Sequence, residues 1–176
     1  SLMWTDLQAE VAEACQLFPN ESEFRRLSGV AAICTGMFEE GIVDLQLSVE
    51  LDTDSRRALK TRCLLARTQI WNNDWPGGLR EFSVITRLDP STTTKEDYRA
   101  ILFAVSRLEN LTADELWLGS QSYNRIVASK EPLTAELVNT ATSFLLRQQA
   151  CNTVLELCDL YPLFRKADVW VEFNCG

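Results

Sequence analysis

The sequence contains no histidine, and none of its cysteines are spaced as C-x-x-C. Without histidine, a Cys₂His₂ zinc site and any catalytic dyad or triad that uses an imidazole are excluded. The chain also lacks a glycine-rich nucleotide-binding motif and a G-x-S-x-G sequence. Its neighbouring acidic residues are typical of solvated helix faces and helix caps. We therefore expect no enzymatic activity and no bound metal, cofactor or small-molecule substrate.

Long apolar runs are missing as well, since no stretch approaches the ~18 apolar residues of a membrane-spanning helix. No signal peptide is evident, and a net charge of −8 disfavours a generic nucleic-acid or anionic-membrane surface. Six cysteines without zinc-like spacing favour a reducing, cytoplasmic setting. Cys15 and Cys158 occupy the same position of a repeated apolar pattern, so we expect both to be small buried hydrophobes.

That apolar pattern recurs four times, beginning at Leu7, Gly41, Gly78 and Ala150. Its apolar and small residues lie at i, i+4, i+7 and i+8, which is one face of an α-helix, and each copy closes at proline or threonine. Further helical runs lie at 24–34, 56–71 and 137–146, and turn-forming residues such as those at 72–77 separate the runs from the patterned helices. The repeating unit is therefore a helix, a tight turn and a second helix.

The closing residues at 19, 53, 90 and 162 are 34, 37 and 72 residues apart. The last step spans about two units of the same length, which predicts a further copy between 113 and 131. That segment matches the template poorly, so we expect a degenerate unit there.

The period and the spacing resemble the tetratricopeptide repeat, a helix–turn–helix unit of ~34 residues. Segments 38–52 and 75–90 resemble its second helix, and Gly29 and Ala66 fall where its first helix has a small residue. Arg25 and Arg62 depart from the family, which has a large aromatic residue at this position. The resemblance implies an all-α solenoid, a superhelix of about eight or nine helices. Another stacked-helix repeat, such as a HEAT-like array, is the alternative.

We expect a single domain over 1–176, which could also be a fragment of a longer protein. Residues 3–19 would form a half repeat or N-terminal cap, residues 22–53, 56–90, 95–132 and 134–162 the repeats, and residues 163–173 a C-terminal cap. Trp4, Trp170 and Phe173 lie near the ends, where incompletely capped repeat faces can associate. The terminal helices are therefore candidates for homo-oligomer contacts.

Charge reverses locally between residues 55 and 73, which contain no acidic residue but five basic ones. Arg56, Lys60 and Arg67 share one face of a helix. In tetratricopeptide-like folds the first helices line a concave groove, so the resemblance implies a basic groove with apolar patches. Its expected partner-binding residues are Arg26, Lys60, Arg67, Ile70, Arg99, Phe103 and Arg107.

These residues predict a scaffold or adaptor whose groove binds an acidic peptide or helix of a partner protein. Alternatively, the cations pair with carboxylates of neighbouring helices. A small secretion-type chaperone is the second functional hypothesis. A nucleic-acid-binding repeat is the third and less favoured, because this helix has few aromatic residues for base stacking. The carboxylate clamp of chaperone-binding tetratricopeptide proteins is rejected, since the first helices carry no asparagine at matching groove positions.

Overall fold

The computed structural model describes residues 2–129, 140–141 and 143–144. These residues form seven α-helices and one 3₁₀ turn, and they contain no strand, which confirms the predicted all-α class. The helices are α1 (Leu2–Leu17), α2 (Ser22–Cys34), α3 (Phe38–Leu51), α4 (Ser55–Trp71), α5 (Trp75–Leu88), α6 (Lys95–Arg107) and α7 (Ala113–Ala128), and the 3₁₀ turn is Pro90–Thr92. The predictions for Cys158, the C-terminal repeat and the C-terminal cap lie wholly or largely outside the described residues.

Local capping explains where several helices begin. The Asp54 side chain accepts hydrogen bonds from the backbone amides of Arg56 and Arg57 at the start of α4. Asp74 accepts from Gly77 at the start of α5, where a proline occupies the first turn. At the start of α7, Thr112 and Glu115 form a reciprocal capping box. Such caps satisfy amides that have no partner within the helix, so α4, α5 and α7 each begin at a residue specified by their own sequence.

The chain divides into two compact units, Ser1–Asp97 and Tyr98–Gly176, whereas we expected one domain. Within the first unit each helix packs against the next one along the chain, from α1 through α5. The core of this unit is apolar, and its fully buried large side chains are Leu45, Leu65, Leu79, Phe82 and Ile85. Cys15 is buried as predicted.

The hairpins α2–α3 and α4–α5 are joined by the same turn, displaced by 37 residues. Gly36 and Asn73 both adopt positive φ angles, 86° and 64° respectively. The next residue in each turn donates a backbone hydrogen bond to a carbonyl five residues earlier, from Met37 to Ala32 at 2.9 Å and from Asp74 at 2.8 Å. This geometry is a left-handed helix C-cap. The 37-residue sequence step is therefore a repeat of structure in these two hairpins.

Gly41 and Gly78, which begin the second and third copies of the pattern, lie against the preceding helix. A Cβ on Gly41 would lie 2.7 Å from Ile33 Cγ1, and a Cβ on Gly78 would lie 2.5 Å from Ile70 Cγ1. Both distances are too short for a real contact, so neither position has room for a side chain unless the helices separate. The recurrence of glycine at 41 and 78 thus reflects close helix packing.

An ion pair crosses each of these two hairpins at equivalent positions. Arg25 Nη1 lies 3.2 Å from Asp44 Oδ1, and Arg62 Nη1 lies 2.5 Å from Glu81 Oε2. In both cases the partners are 19 residues apart. Arg25 and Arg62 are the positions that depart from the family's aromatic residue, so an ion pair joins the two helices here.

In the second unit, α7 matches the pattern better than we expected. Gly119-x₃-Tyr123-x₂-Ile126 repeats the spacing, and a Cβ on Gly119 would lie 2.7 Å from the Phe144 ring. The α6–α7 connection has five residues, whereas the turns within the earlier hairpins have three. Gly119 follows Gly78 by 41 residues, whereas Gly78 follows Gly41 by 37, so a fixed period does not reach it.

Candidate functional site

Two cavities lie along α4 and share Lys60 in their linings. The larger has a volume of about 340 Å³ and the smaller about 260 Å³. We name their charged lining the Lys60 face, which consists of the cations Arg26, Arg56, Arg57, Lys60 and Arg67 and the carboxylates Glu23, Asp89 and Asp97. Five cations against three carboxylates make this face locally positive in a chain of net charge −8.

The buried carboxylate of Asp97 lines one side of the larger cavity. Asp97 is fully buried in the first turn of α6, and its Oδ2 accepts hydrogen bonds from the backbone N and the hydroxyl of Thr94, both at 2.7 Å. Arg67 Nε lies 3.3 Å from Asp97 Oδ1, an ion pair whose geometry does not form a hydrogen bond. Asp97 thus caps α6 and neutralises Arg67 at once.

Asp89 holds the connection between α5 and α6 on another side of the cavity. Its carboxylate accepts from the Ser91 hydroxyl at 2.6 Å, the Ser91 amide at 2.9 Å and the Thr92 hydroxyl at 3.1 Å. These donors, led by the Ser91 hydroxyl, hold the pKa of Asp89 below its ordinary value, and the charge of Arg56 lowers it further. Asp89 is therefore a carboxylate at neutral pH, and the connection's own hydroxyls and amide occupy its oxygens.

In the smaller cavity, two arginines are neutralised by neighbouring carboxylates. Arg26 Nε donates to Glu23 at 2.9 Å, and this hydrogen bonding lowers the pKa of Glu23. Arg57 makes two hydrogen bonds to Asp52, at 2.7 and 2.9 Å, and they lower the pKa of Asp52. The alternative that cations pair with carboxylates inside the chain therefore holds for these arginines.

Two cations of the Lys60 face remain without an ion pair to any described residue, Arg56 and Lys60. Both side chains are exposed, and they lie four residues apart on α4. Residues at this spacing lie one above the other on a helix. The unneutralised positive charge of the face is thus concentrated on one turn of α4.

Of the predicted site residues in the first unit, Arg26, Lys60 and Arg67 lie on the Lys60 face, but Ile70 does not. Ile70 is 2% exposed, and its side chain lies against Gly78. It fills the contact between α4 and α5, so the prediction of Ile70 as a partner-binding anchor is wrong. Its spacing from Lys60 and Arg67 along the helix predicted that it shares their exposed face. In the structure α5 packs against this part of α4 and buries the side chain.

Cys63 lines the larger cavity but has no nucleophilic character. It is 4% exposed, and burial together with the charge of Asp97 raises the pKa of its thiol to about 12. The thiolate is the reactive form of cysteine, so Cys63 stays protonated and inert at neutral pH.

The other predicted site residues, Arg99, Phe103 and Arg107, lie in the second unit. The Arg107 guanidinium carbon lies 4.8 Å from the centre of the Phe103 ring, a cation–π contact between residues one turn apart on α6. Arg99 is partly buried, and its Nε makes no hydrogen bond to a described residue. Phe103 and Arg107 therefore contact each other directly.

Sequence reasoning missed the acidic half of the Lys60 face. The sequence carried a signal for it, because Thr94-x-x-Asp97 is a helix-capping spacing and Asp89-Pro90-Ser91 is a turn sequence. The return of this connection towards α4 is a tertiary feature, so the local signals did not place these carboxylates beside the cations of α4. The described residues include no group of three or more cysteines or carboxylates that could hold a metal ion. No helix among them is long and apolar enough to cross a membrane.

Comparison with known proteins assigns no family. No protein-family model matches the chain, no curated protein matches it, and no solved structure matches it. The tetratricopeptide resemblance therefore remains a prediction that rests on the residues quoted above.

Proposed function

We propose that this chain is a protein-interaction module whose Lys60 face binds an acidic segment of a partner protein. The observation that carries the proposal is the pair of unneutralised, exposed cations, Arg56 and Lys60, at two adjoining cavities. Carboxylates of a partner would accept charge-assisted hydrogen bonds from both side chains. The repeated hairpins support an interaction role, because stacked repeats present extended binding surfaces.

The neutralised arginines have a different part in this proposal. Arg26, Arg57 and Arg67 are held by Glu23, Asp52 and Asp97 respectively, so they form fixed walls and add little net charge. Such an arrangement favours selectivity and fast association over tight binding, because electrostatic complementarity acts mainly on specificity and on the association rate. We expect a partner segment that bears two or more carboxylates within one helical turn.

The test is a fluorescence anisotropy titration with a labelled peptide of alternating glutamate and alanine. Its glutamine counterpart controls for length and backbone. Wild type should bind the glutamate peptide, and the variant R56E/K60E should bind it about tenfold more weakly, or worse. The matched control is R80E/R125E, which reverses two exposed arginines outside the Lys60 face and should bind as wild type.

Equal binding of the glutamate and glutamine peptides, or an unchanged affinity of R56E/K60E, would contradict the proposal. A labelled single-stranded oligonucleotide forms the third arm. If it binds more tightly than the glutamate peptide and with a steep salt dependence, the nucleic-acid hypothesis replaces the acidic-protein one.

A further inference from the structure

The chain itself carries an acidic helix face of the kind that the Lys60 face is proposed to bind. On α1, Asp6, Glu10 and Glu13 are all exposed, and this helix contains no basic residue. None of the three carboxylates makes an ion pair with a described residue. The opposite side of α1 carries buried Val11 and Cys15, and the helix packs against α2. The acidic face of α1 is therefore accessible while the helix is docked.

The spacing of this acidic face matches that of Arg56 and Lys60, which make no ion pair with a described residue. Asp6 and Glu10 are four residues apart, as are Arg56 and Lys60. Four residues of α-helix rise about 6 Å, so two helices laid side by side can pair both carboxylates with both cations at once. Exposed Ala9 lies beside the carboxylates on α1, and its small side chain allows a neighbouring helix to come close.

Such pairing requires a second molecule. Among the described residues the main contact of α1 is with α2, and Asp6, Glu10 and Glu13 remain exposed without an ion pair to any of these residues. We propose that the Lys60 face binds α1 of a second copy of this chain, with Asp6 and Glu10 against Arg56 and Lys60. This inference rests on the proposed function and names the acidic segment that it requires.

The overall charge sets the strength of this association. Each copy carries a net charge of −8, so two copies repel each other at long range. The Debye length is about 8 Å at physiological ionic strength, so this repulsion is screened while the close pairs at the contact persist. We therefore expect weak, concentration-dependent self-association in physiological salt.

Analytical ultracentrifugation with a charge-swapped pair tests the inference. Wild type should exceed its monomer mass of 19.9 kDa as concentration rises through the micromolar range. The variants R56E/K60E and D6K/E10K should each stay monomeric alone, because each then meets like charge at the contact. An equimolar mixture of the two should associate, because each variant supplies the complement of the other. The control R80E/R125E should self-associate as wild type does.

A wild type that stays monomeric at several hundred micromolar, or a mixture that fails to associate, overturns the inference. Circular dichroism of each variant checks that its helices are intact. The outcome remains separable from that of the proposed function. If the glutamate peptide still binds through Arg56 and Lys60 while the protein is monomeric, only self-association fails. If peptide binding also fails, the Lys60 face is not an acidic-segment site.

Discussion

Asp97 both caps α6 and lines the larger cavity of the Lys60 face. Its carboxylate is fully buried, caps α6 through Thr94 and lies 3.3 Å from Arg67. A buried charge of this kind is tolerated because both of its oxygens face donors or a cation. Charge reversal at Arg67 would bring a second carboxylate beside Asp97, so Arg67 is a poor position at which to test binding. Lys60 makes no ion pair with a described residue, and the charge of Arg56 is only the smallest of the influences that lower the pKa of Asp89, so both are better positions for the test.

We predict that D97A lowers the free energy of unfolding by about 2 kcal/mol, because it removes the cap of α6 and leaves Arg67 without its partner. Urea denaturation measures this loss. E96A, at the exposed neighbouring position in the same helical turn, is the control and should change stability by less than about 0.5 kcal/mol. Equal effects of the two substitutions would show that Asp97 has no special role.

The Arg57–Asp52 pair predicts a pH dependence of stability. Hydrogen bonding from Arg57 lowers the pKa of Asp52, whose side chain is 1% exposed. A carboxyl group with a lowered folded-state pKa stabilises the fold above its unfolded pKa, about 3.9, and the contribution is lost as pH falls through the folded value. R57Q should therefore be less stable than wild type at pH 7, and the difference should shrink below about pH 4.

Urea titrations at pH 7 and at pH 3 measure the difference in stability between wild type and R57Q. R80Q serves as the control because Arg80 makes no ion pair with a described residue. A wild-type advantage over R57Q that is the same at pH 7 and pH 3 would rule out the Arg57–Asp52 pair as its source.

At the scale of elements, the two hairpins of the first unit are copies with one unusual feature, the interhelical ion pair. Arg62–Glu81 and Arg25–Asp44 occupy equivalent positions and are only partly exposed. We predict a coupling energy of about 1 kcal/mol between Arg62 and Glu81 in a double-mutant cycle, at the upper end of the range for partly exposed pairs. The swapped variant R62E/E81R should recover part of the stability that R62E loses. A coupling energy of zero would mean that the pair is incidental.

The repeated turn gives a second prediction at this scale. Gly36 has a φ of 86°, and Asn73 occupies the same place in the next hairpin with a φ of 64°. The left-handed region costs most residues about 1 kcal/mol or more, but asparagine visits it readily. G36A should therefore destabilise the protein by about 1 kcal/mol and G36N by clearly less. Thermal denaturation ranks the two variants, and a G36N protein no more stable than G36A would contradict the equivalence of the turns.

The limits of the helices could be predicted from sequence because their signals are local. The apolar period predicted α4 at 56–71, and the structure has Ser55–Trp71. The pairing of Arg67 with Asp97 could not be predicted, because their contact depends on how α6 begins beside α4. The prediction of Ile70 as a partner-binding residue was wrong for the same kind of reason, since its burial depends on how closely Gly78 of α5 approaches α4.

Charge is distributed unevenly over the molecule, and the net charge of −8 does not show this. Arg56 and Lys60 are unneutralised on α4, while α1 carries carboxylates and no cation. A chain of net charge −8 can therefore attract acidic segments at one face while it repels them elsewhere. This contrast gives the proposed binding its selectivity, because a misdocked acidic partner meets like charge.

Arg56 and Lys60 are proposed to form the docking point for acidic segments. Chemical-shift mapping of the isotope-labelled protein with the glutamate–alanine peptide can locate these contacts residue by residue. We expect saturable shifts at backbone amides of residues 56–67 and 89–94, and their loss in R56E/K60E. Shifts confined to other helices, or shifts that the glutamine peptide reproduces, would contradict this proposal.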